Sequence, residues 1–269
     1  MTPPLPPAHR SQPIRRVSAD GGARRDRWGI ATETAIEINV NGRPLAVMMA
    51  TPQDIEDLAR GFALTEGVIS SVDHAAAVAV RALPEGVIAD LSIAESAVQE
   101  SRVKARFLEG RSGCGLCGVE TLADAIRPVE RPASRGETPP IAHAAIRRAF
   151  GLLGAAQPLN QATRSVHGAA WCAPDGAILA IREDVGRHNA LDKLIGACSK
   201  EMRTEPGFVV MTSRCSFELV QKTAISGAVT LATVSAPTSL AIDLARAAGV
   251  RLVCRQGDDL VEFDTSDEQ

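Results

Sequence analysis

Two cysteines separated by two residues stand in a glycine-rich run, Arg111-Ser112-Gly113-Cys114-Gly115-Leu116-Cys117-Gly118. Glycine has no Cβ, so the three glycines around the pair leave the backbone permissive and both thiols free to turn to one side. Arg111 and a helix expected from about Val119 would each favour the thiolate, because positive charge and a helix N-terminus lower a thiol's pKa. A thiolate accepts sulfur from a persulfide donor, and a second thiol within reach relays or resolves it. Two other chemistries share this spacing. A zinc site needs four ligands, commonly two such pairs, whereas this chain has one pair and five histidines without ligand spacing. A thioredoxin-type motif follows a strand and opens a helix, and Phe107-Leu108-Glu109-Gly110 fits that poorly. Sulfur or redox chemistry leads at this point, with metal binding and a purely structural pair still open.

Of the other four cysteines, Cys198 falls on an apolar helix face with Leu191, Leu194 and Ile195, Cys254 ends a strand, and Cys172 sits beside Trp171. Small buried thiols are the expectation for these three. Cys215, between Arg214 and Ser216 at a strand-to-helix turn, keeps some claim to function.

Two polar turns form a second candidate site. One is Arg182-Glu183-Asp184-Val185-Gly186-Arg187-His188-Asn189; the other is Thr212-Ser213-Arg214-Cys215-Ser216. Each is expected between a strand and a helix. Ligands of open α/β sheets bind beyond the carboxyl ends of the strands, where helix N-termini offer free N–H groups to anions. Arg187 and Arg214 suit bidentate phosphate contacts, with His188 and Ser213 beside them, and Asp184 suits a guanine edge or a ribose. The alternative is an ion-pair network in which Glu183 and Asp184 neutralise the two arginines. Neither turn matches a Walker or dinucleotide fingerprint. Glu218 and Lys222, four apart, read as a helix-surface pair.

The elements that must carry these residues follow from pattern. Residues 1–27 hold Pro, Gly and six arginines with little apolar content, the composition of a disordered tail. Residues 28–126 read as an α+β domain. Within it, apolar runs at 36–40 and 45–49 flank Asn41-Gly42, a hairpin signal, and Thr51-Pro52-Gln53-Asp54 opens a helix reaching about residue 66. Residues 127–140 read as a linker. In residues 141–269, helices near 142–153, 187–199, 216–226 and 238–248 alternate with strands near 208–211, 229–233 and 250–254. This predicts a layered α/β domain with a largely parallel sheet.

A net charge of -3 and the absence of tyrosine argue against whole-chain binding to nucleic acid or membrane, and against aromatic stacking platforms. No apolar h-region opens the chain and no segment is long and apolar enough to span a bilayer, so a cytoplasmic location with reduced thiols is expected.

The motifs together are specific. The run 113–120 (Gly-Cys-Gly-Leu-Cys-Gly-Val-Glu), the run 183–193 (Glu-Asp-Val-Gly-Arg-His-Asn-Ala-Leu-Asp-Lys) and the run 212–222 (Thr-Ser-Arg-Cys-Ser-Phe-Glu-Leu-Val-Gln-Lys) resemble the formate dehydrogenase accessory sulfurtransferase family. So do shorter runs at 40–42, 51–62, 65–67 and 235–240, and the resemblance covers nearly all of residues 30–265. It implies a second domain of cytidine-deaminase-like three-layer α/β/α fold, preceded by the smaller α+β domain. It implies a sulfurtransferase taking persulfide sulfur from a cysteine desulfurase. The acceptor is the molybdenum or tungsten bis(molybdopterin guanine dinucleotide) cofactor of formate dehydrogenase, bound transiently. Cys114 matches the family's persulfide cysteine, with Cys117 its partner, and a homodimer is implied. The family's cofactor-binding stretch matches Arg255, Gln256, Gly257, Asp258, Asp259 and Leu260. Relatives are more basic or glycine-rich there; two aspartates would oppose phosphate through their side chains and leave contact to the backbone. Zinc deaminases of similar fold carry His-x-Glu and Pro-Cys-x-x-Cys, and this sequence has neither, so deaminase activity and a catalytic metal are not expected. The alternative of another class is a cofactor-binding chaperone without sulfur transfer.

Overall fold

The computed structural model describes residues 3–107 and 140–263. Cys114, Cys117, the helix expected from Val119 and the linker expected over 127–140, apart from its last residue, lie outside the described residues.

Residues expected to be disordered form a hairpin instead. Strands β1 (His9–Val17) and β2 (Ala23–Ala31) pair antiparallel in full register. The ribbon lacks a core of its own. It is held to the body through Trp28, whose indole N–H donates to the carbonyl of Thr163 at 3.2 Å, while Asp26, 2.7 Å from the Arg16 guanidinium, joins its two strands. Low apolar content concealed a segment anchored by one aromatic residue.

Strands β3 (Thr34–Val40) and β4 (Arg43–Ala50) form the hairpin expected at Asn41-Gly42, where both residues take positive φ, 51° and 77°. Helix α1 (Ile55–Thr65) starts later than Thr51-Pro52 suggests, because Asp54 is left-handed and Thr51 is used elsewhere. Strands β5 (Ala75–Leu83) and β6 (Gly86–Ile93) complete a four-stranded sheet, order β4-β3-β6-β5, with β3 and β6 parallel. Helix α2 (Glu100–Phe107) leads out of this half.

The second half contains α3 (His143–Ala156), the short α4 (Pro158–Thr163), β7 (His167–Cys172), β8 (Ile178–Asp184), α5 (Arg187–Thr204), β9 (Phe208–Met211), α6 (Phe217–Ser226), β10 (Thr230–Thr233), α7 (Ser239–Ala248), β11 (Arg251–Gln256) and β12 (Asp259–Phe263). Its six-stranded sheet has the order β12-β11-β10-β9-β7-β8. Only β9, β10 and β11 run parallel; β7, β8 and β12 are antiparallel to their neighbours. The sheet is thus less parallel than alternation alone suggested, since β7–β8 and β11–β12 are joined by tight turns that permit only antiparallel pairing. Both faces are covered. Ala170, Cys172, Phe208, Val210 and Val253 pack with Ile146, Ala149 and Phe150 of α3. The alternate residues Ala169, Trp171, Val209, Met211 and Leu252 face Leu191, Leu194, Leu219 and Leu244 of α5, α6 and α7. This alternation is the period of a strand with two buried faces.

The two halves share one core. Ile36, Leu58 and Leu91 belong to the same apolar cluster as Leu194 and Leu231. Helices α1 and α5 cross with backbones in contact: a Cβ on Gly61 would lie 1.8 Å from the carbonyl oxygen of Asp192, and one on Gly196 would lie 1.9 Å from that of Asp57. Beside the crossing, Arg182 of β8 holds Asp57 of α1 at 2.8 Å.

Candidate functional site

Because β7 runs antiparallel to β9, its first residue lies at the same edge as the ends of β8, β9, β10 and β11. His167 pairs with Asp184 and Ala169 with Met211. The turn after β9 is stitched to β7 from both sides: Thr212 N–H donates to the Gly168 carbonyl at 3.0 Å, and Gly168 N–H to Thr212 Oγ1 at 2.8 Å. The two polar turns read from the sequence therefore meet at one sheet edge, with His167 between them.

The acidic residues of the first turn are not free for a ligand. Asp184 is fully buried, and its carboxylate is 2.6 Å from Lys193 Nζ. It also accepts from Thr51 N–H at 2.9 Å, Gly186 N–H at 2.8 Å and Asn189 Nδ2 at 3.0 Å. Four donors saturate a carboxylate, so the guanine or ribose role expected for Asp184 gives way to a structural one. Thr51 is drawn into the same knot. Its carbonyl accepts from Lys193 Nζ at 2.9 Å and its hydroxyl from Val185 N–H at 3.2 Å, which is why it does not cap α1. Glu183, also buried, caps α4 by accepting from Leu159 N–H at 2.9 Å and Asn160 N–H at 2.8 Å.

The cations at this edge are left without those partners. Among the described residues no carboxylate forms a salt bridge with Arg187 or Arg214. Arg187 opens α5, is half-buried, and its Nε is buried with no hydrogen-bond acceptor. An unpaired buried donor is costly, and an acceptor supplied by a ligand would relieve it. Arg214 is exposed, whereas Ser213 is buried with its hydroxyl turned onto the Arg214 carbonyl at 2.9 Å. His188 Nε2 lies 3.8 Å from Glu218 Oε2 and 3.5 Å from Ser216 Oγ. Burial works to raise the Glu218 carboxyl, but the neighbouring His188 and Ser216 hold it at about 2. His167 is driven below the usual histidine range first by burial and then by the positive charges of Arg187, His188 and Arg214, against the opposing field of Asp184. Four basic side chains thus share one local field.

His167 and Glu218 were missed in the sequence. The four-residue spacing suggests a surface pair of Glu218 with Lys222, but Lys222 is buried and reaches Asp192 at 2.9 Å and Glu66 at 3.5 Å, across to α5 and the end of α1. No helical periodicity reports which side of α6 another helix will cover.

Residues 255–260 form the turn end of the β11–β12 hairpin. Arg255 pairs with Leu260 and Gln256 with Asp259, and Gly257 turns at φ 62° beside Asp258. Asp258 and Asp259 are exposed; the Arg255 guanidinium lies 5.4 Å over the Phe150 ring, and Arg147 donates to the Asp258 carbonyl. This hairpin grows from the same edge as the polar turns, but β10, β9 and β7 separate β11 from β8, about 19 Å at ordinary strand spacing. A ligand touching both ends of the edge must be long.

The described cysteines are poor nucleophiles. Burial pushes the thiols of Cys172 and Cys215 up to about 12 and that of Cys198 to about 11, and raises Cys254. Among the described residues no cluster of His, Cys, Asp or Glu is arranged to hold a metal, and no helix is long and apolar enough to cross a membrane.

A mixed α/β protein with a cationic edge on its larger sheet and inert thiols in its core is the class these features define. The chain belongs to the FdhD/NarQ family, whose model matches residues 31–263. It is 42% identical over 253 residues to the sulfur carrier protein FdhD of Variovorax paradoxus, covering 93% of this chain and 90% of that one. It is 46% identical over 243 residues to the protein of the same name from Chromobacterium violaceum, covering 88% and 89%. In fold it is similar to a crystal structure from Desulfotalea psychrophila provisionally named a formate dehydrogenase accessory protein, with a TM-score of 0.73, 22% identity and coverage of 96% and 98%.

Proposed function

We propose that this chain is a cytoplasmic persulfide carrier that moves sulfur from a cysteine desulfurase to the bis(molybdopterin guanine dinucleotide) cofactor of formate dehydrogenase. The observation that carries the reading is the burial of Cys172, Cys198, Cys215 and Cys254 with raised thiol pKa values. Sulfur chemistry then falls to Cys114 and Cys117, and relatives at more than 40% identity are named sulfur carriers. In the proposed step the Cys114 thiolate attacks the outer sulfur of the donor persulfide. A new S–S bond forms at Cys114, the donor's S–S bond breaks, and the donor leaves as a thiolate. Cys117 relays that sulfur, or attacks the inner sulfur to give a Cys114–Cys117 disulfide and release hydrosulfide. The cofactor is cargo here. Arg187, Arg214 and His188 suit its phosphates, and the length of the edge out to Arg255–Leu260 suits a dinucleotide-sized ligand. The larger sheet and its helices are read as cytidine-deaminase-like layers, and the working unit as a homodimer.

Incubation with a cysteine desulfurase and cysteine, followed by peptide mass spectrometry, should add one sulfur atom to the peptide containing Cys114. The gain should vanish in Cys114→Ala, and formate dehydrogenase activity should vanish with it while the melting temperature stays unchanged. No gain with an active donor, and normal maturation by the Cys114→Ala/Cys117→Ala chain, would replace the carrier with a cofactor-binding chaperone. Independently, Arg187→Gln should weaken guanosine 5′-diphosphate binding by about tenfold to a hundredfold, the worth of one charge-assisted hydrogen bond. An unchanged affinity by calorimetry would remove Arg187 from the site.

A further inference from the structure

A pocket of about 640 Å³ opens between α1, α2, α5 and α6, at the far end of the helix layer from the sheet edge. Arg187 and Arg203 mark the two ends of α5, about 24 Å apart at helical rise. Arg102 of α2 and Arg203 of α5 line the pocket together with Ser70, Ser101 and Gln99, over an apolar floor of Leu64, Ile69 and Ile225. Among the described residues no carboxylate lines it. Glu66, between the lining residues Thr65 and Gly67, and Asp192 of α5 are engaged by Lys222, at 3.5 and 2.9 Å. Arg203 is oriented by donation from Nη2 to the Ile225 carbonyl at 3.1 Å, which leaves the rest of its fork available. The Arg102 guanidinium has no partner among the described residues.

We propose that this pocket is a second binding site, for a small phosphorylated organic molecule. Two arginines from different helices and two serines that line one pocket can offer more donors than the two oxygens of a carboxylate can accept; the terminal oxygens of a phosphate match them. The volume is that of a small-molecule site rather than of an ion alone, and the Leu64–Ile69–Ile225 floor would take the organic body. The proposal stands apart from the sulfur reading and holds whether or not Cys114 carries persulfide.

The test is calorimetry on the full chain carrying Arg187→Gln, which weakens binding at the sheet edge. Pyrophosphate is expected to bind this chain, and to bind at least tenfold more weakly once Arg102→Gln or Arg203→Gln is added. Arg102 is exposed, so its variant should keep the parent melting temperature. Succinate should bind at least tenfold more weakly than pyrophosphate. Pyrophosphate affinity unmoved by Arg102→Gln, or succinate binding as tightly, would overturn the proposal. Guanosine 5′-diphosphate distinguishes the source. Sensitivity of its binding to Arg102→Gln assigns the phosphate to a nucleotide arm of the cofactor; insensitivity, with pyrophosphate still sensitive, assigns it to a free phosphorylated metabolite.

Discussion

Replacing Gly196 with alanine is expected to cost about 3 kcal/mol or more of folding stability, near the upper end for overpacked sites. The added methyl would lie 1.9 Å from the Asp57 carbonyl oxygen and 2.9 Å from the Gly61 backbone nitrogen. Both neighbours are helical backbone and neither can rotate away, so α1 and α5 must move apart. The core around that crossing would open with them, because Leu58, Phe62, Leu191, Leu194 and Ile195 pack in the same cluster. Gly61→Ala should behave alike, since its methyl meets the Asp192 carbonyl at 1.8 Å. Gly151→Ala is the control: nothing lies within 4 Å of its Cβ, and in mid-helix alanine should be neutral or stabilising by several tenths of a kcal/mol. Urea unfolding reads all three. A Gly196→Ala chain within about 1 kcal/mol of the parent would mean that the helices have slack the structure does not show. A single transition in the parent would agree with a core shared between the halves, whereas two would mean that the halves unfold separately.

That crossing shows what the sequence leaves hidden. Asn41-Gly42 gives the β3–β4 hairpin because its physics is local: two positive φ angles in two adjacent residues. Strand β9 and helices α6 and α7 were likewise legible from period and punctuation, with Gly227 and Gly249 closing the helices in left-handed conformation. What failed was pairing at a distance. The β1–β2 ribbon depends on Trp28 finding Thr163, 135 residues away. Lys222 reads as a surface partner of Glu218 until α1 is laid over it. At the candidate site the two turns do reach one sheet edge, where Arg187, His188 and Arg214 all act on His167. Asp184 reads either way in the sequence, because a carboxylate in a ligand-facing turn and one tying the turn to a buried lysine look alike until Thr51 is brought beside them.

The Asp184–Lys193 pair is therefore expected to govern stability and site together. Both side chains are fully buried and 2.6 Å apart. Removing one partner of such a pair leaves an uncompensated charge in the interior, at about 3–5 kcal/mol. Lys193→Met should show a loss of this size in urea unfolding. Asp184→Asn should lose a comparable amount, since an amide group would turn a donor toward Lys193 or the Thr51 N–H. The double variant should recover part of the loss, because two neutral groups of similar size need no counter-charge. The consequence for the edge follows from the hydrogen bonds. The carboxylate holds Gly186 N–H and Asn189 Nδ2, the residues on either side of Arg187 and His188, so the double variant should bind guanosine 5′-diphosphate more weakly than its recovered stability implies. A Lys193→Met chain destabilised by less than about 1 kcal/mol would mean that water reaches the pair. A double variant with parental nucleotide affinity would mean that Arg187 is positioned by the start of α5 alone.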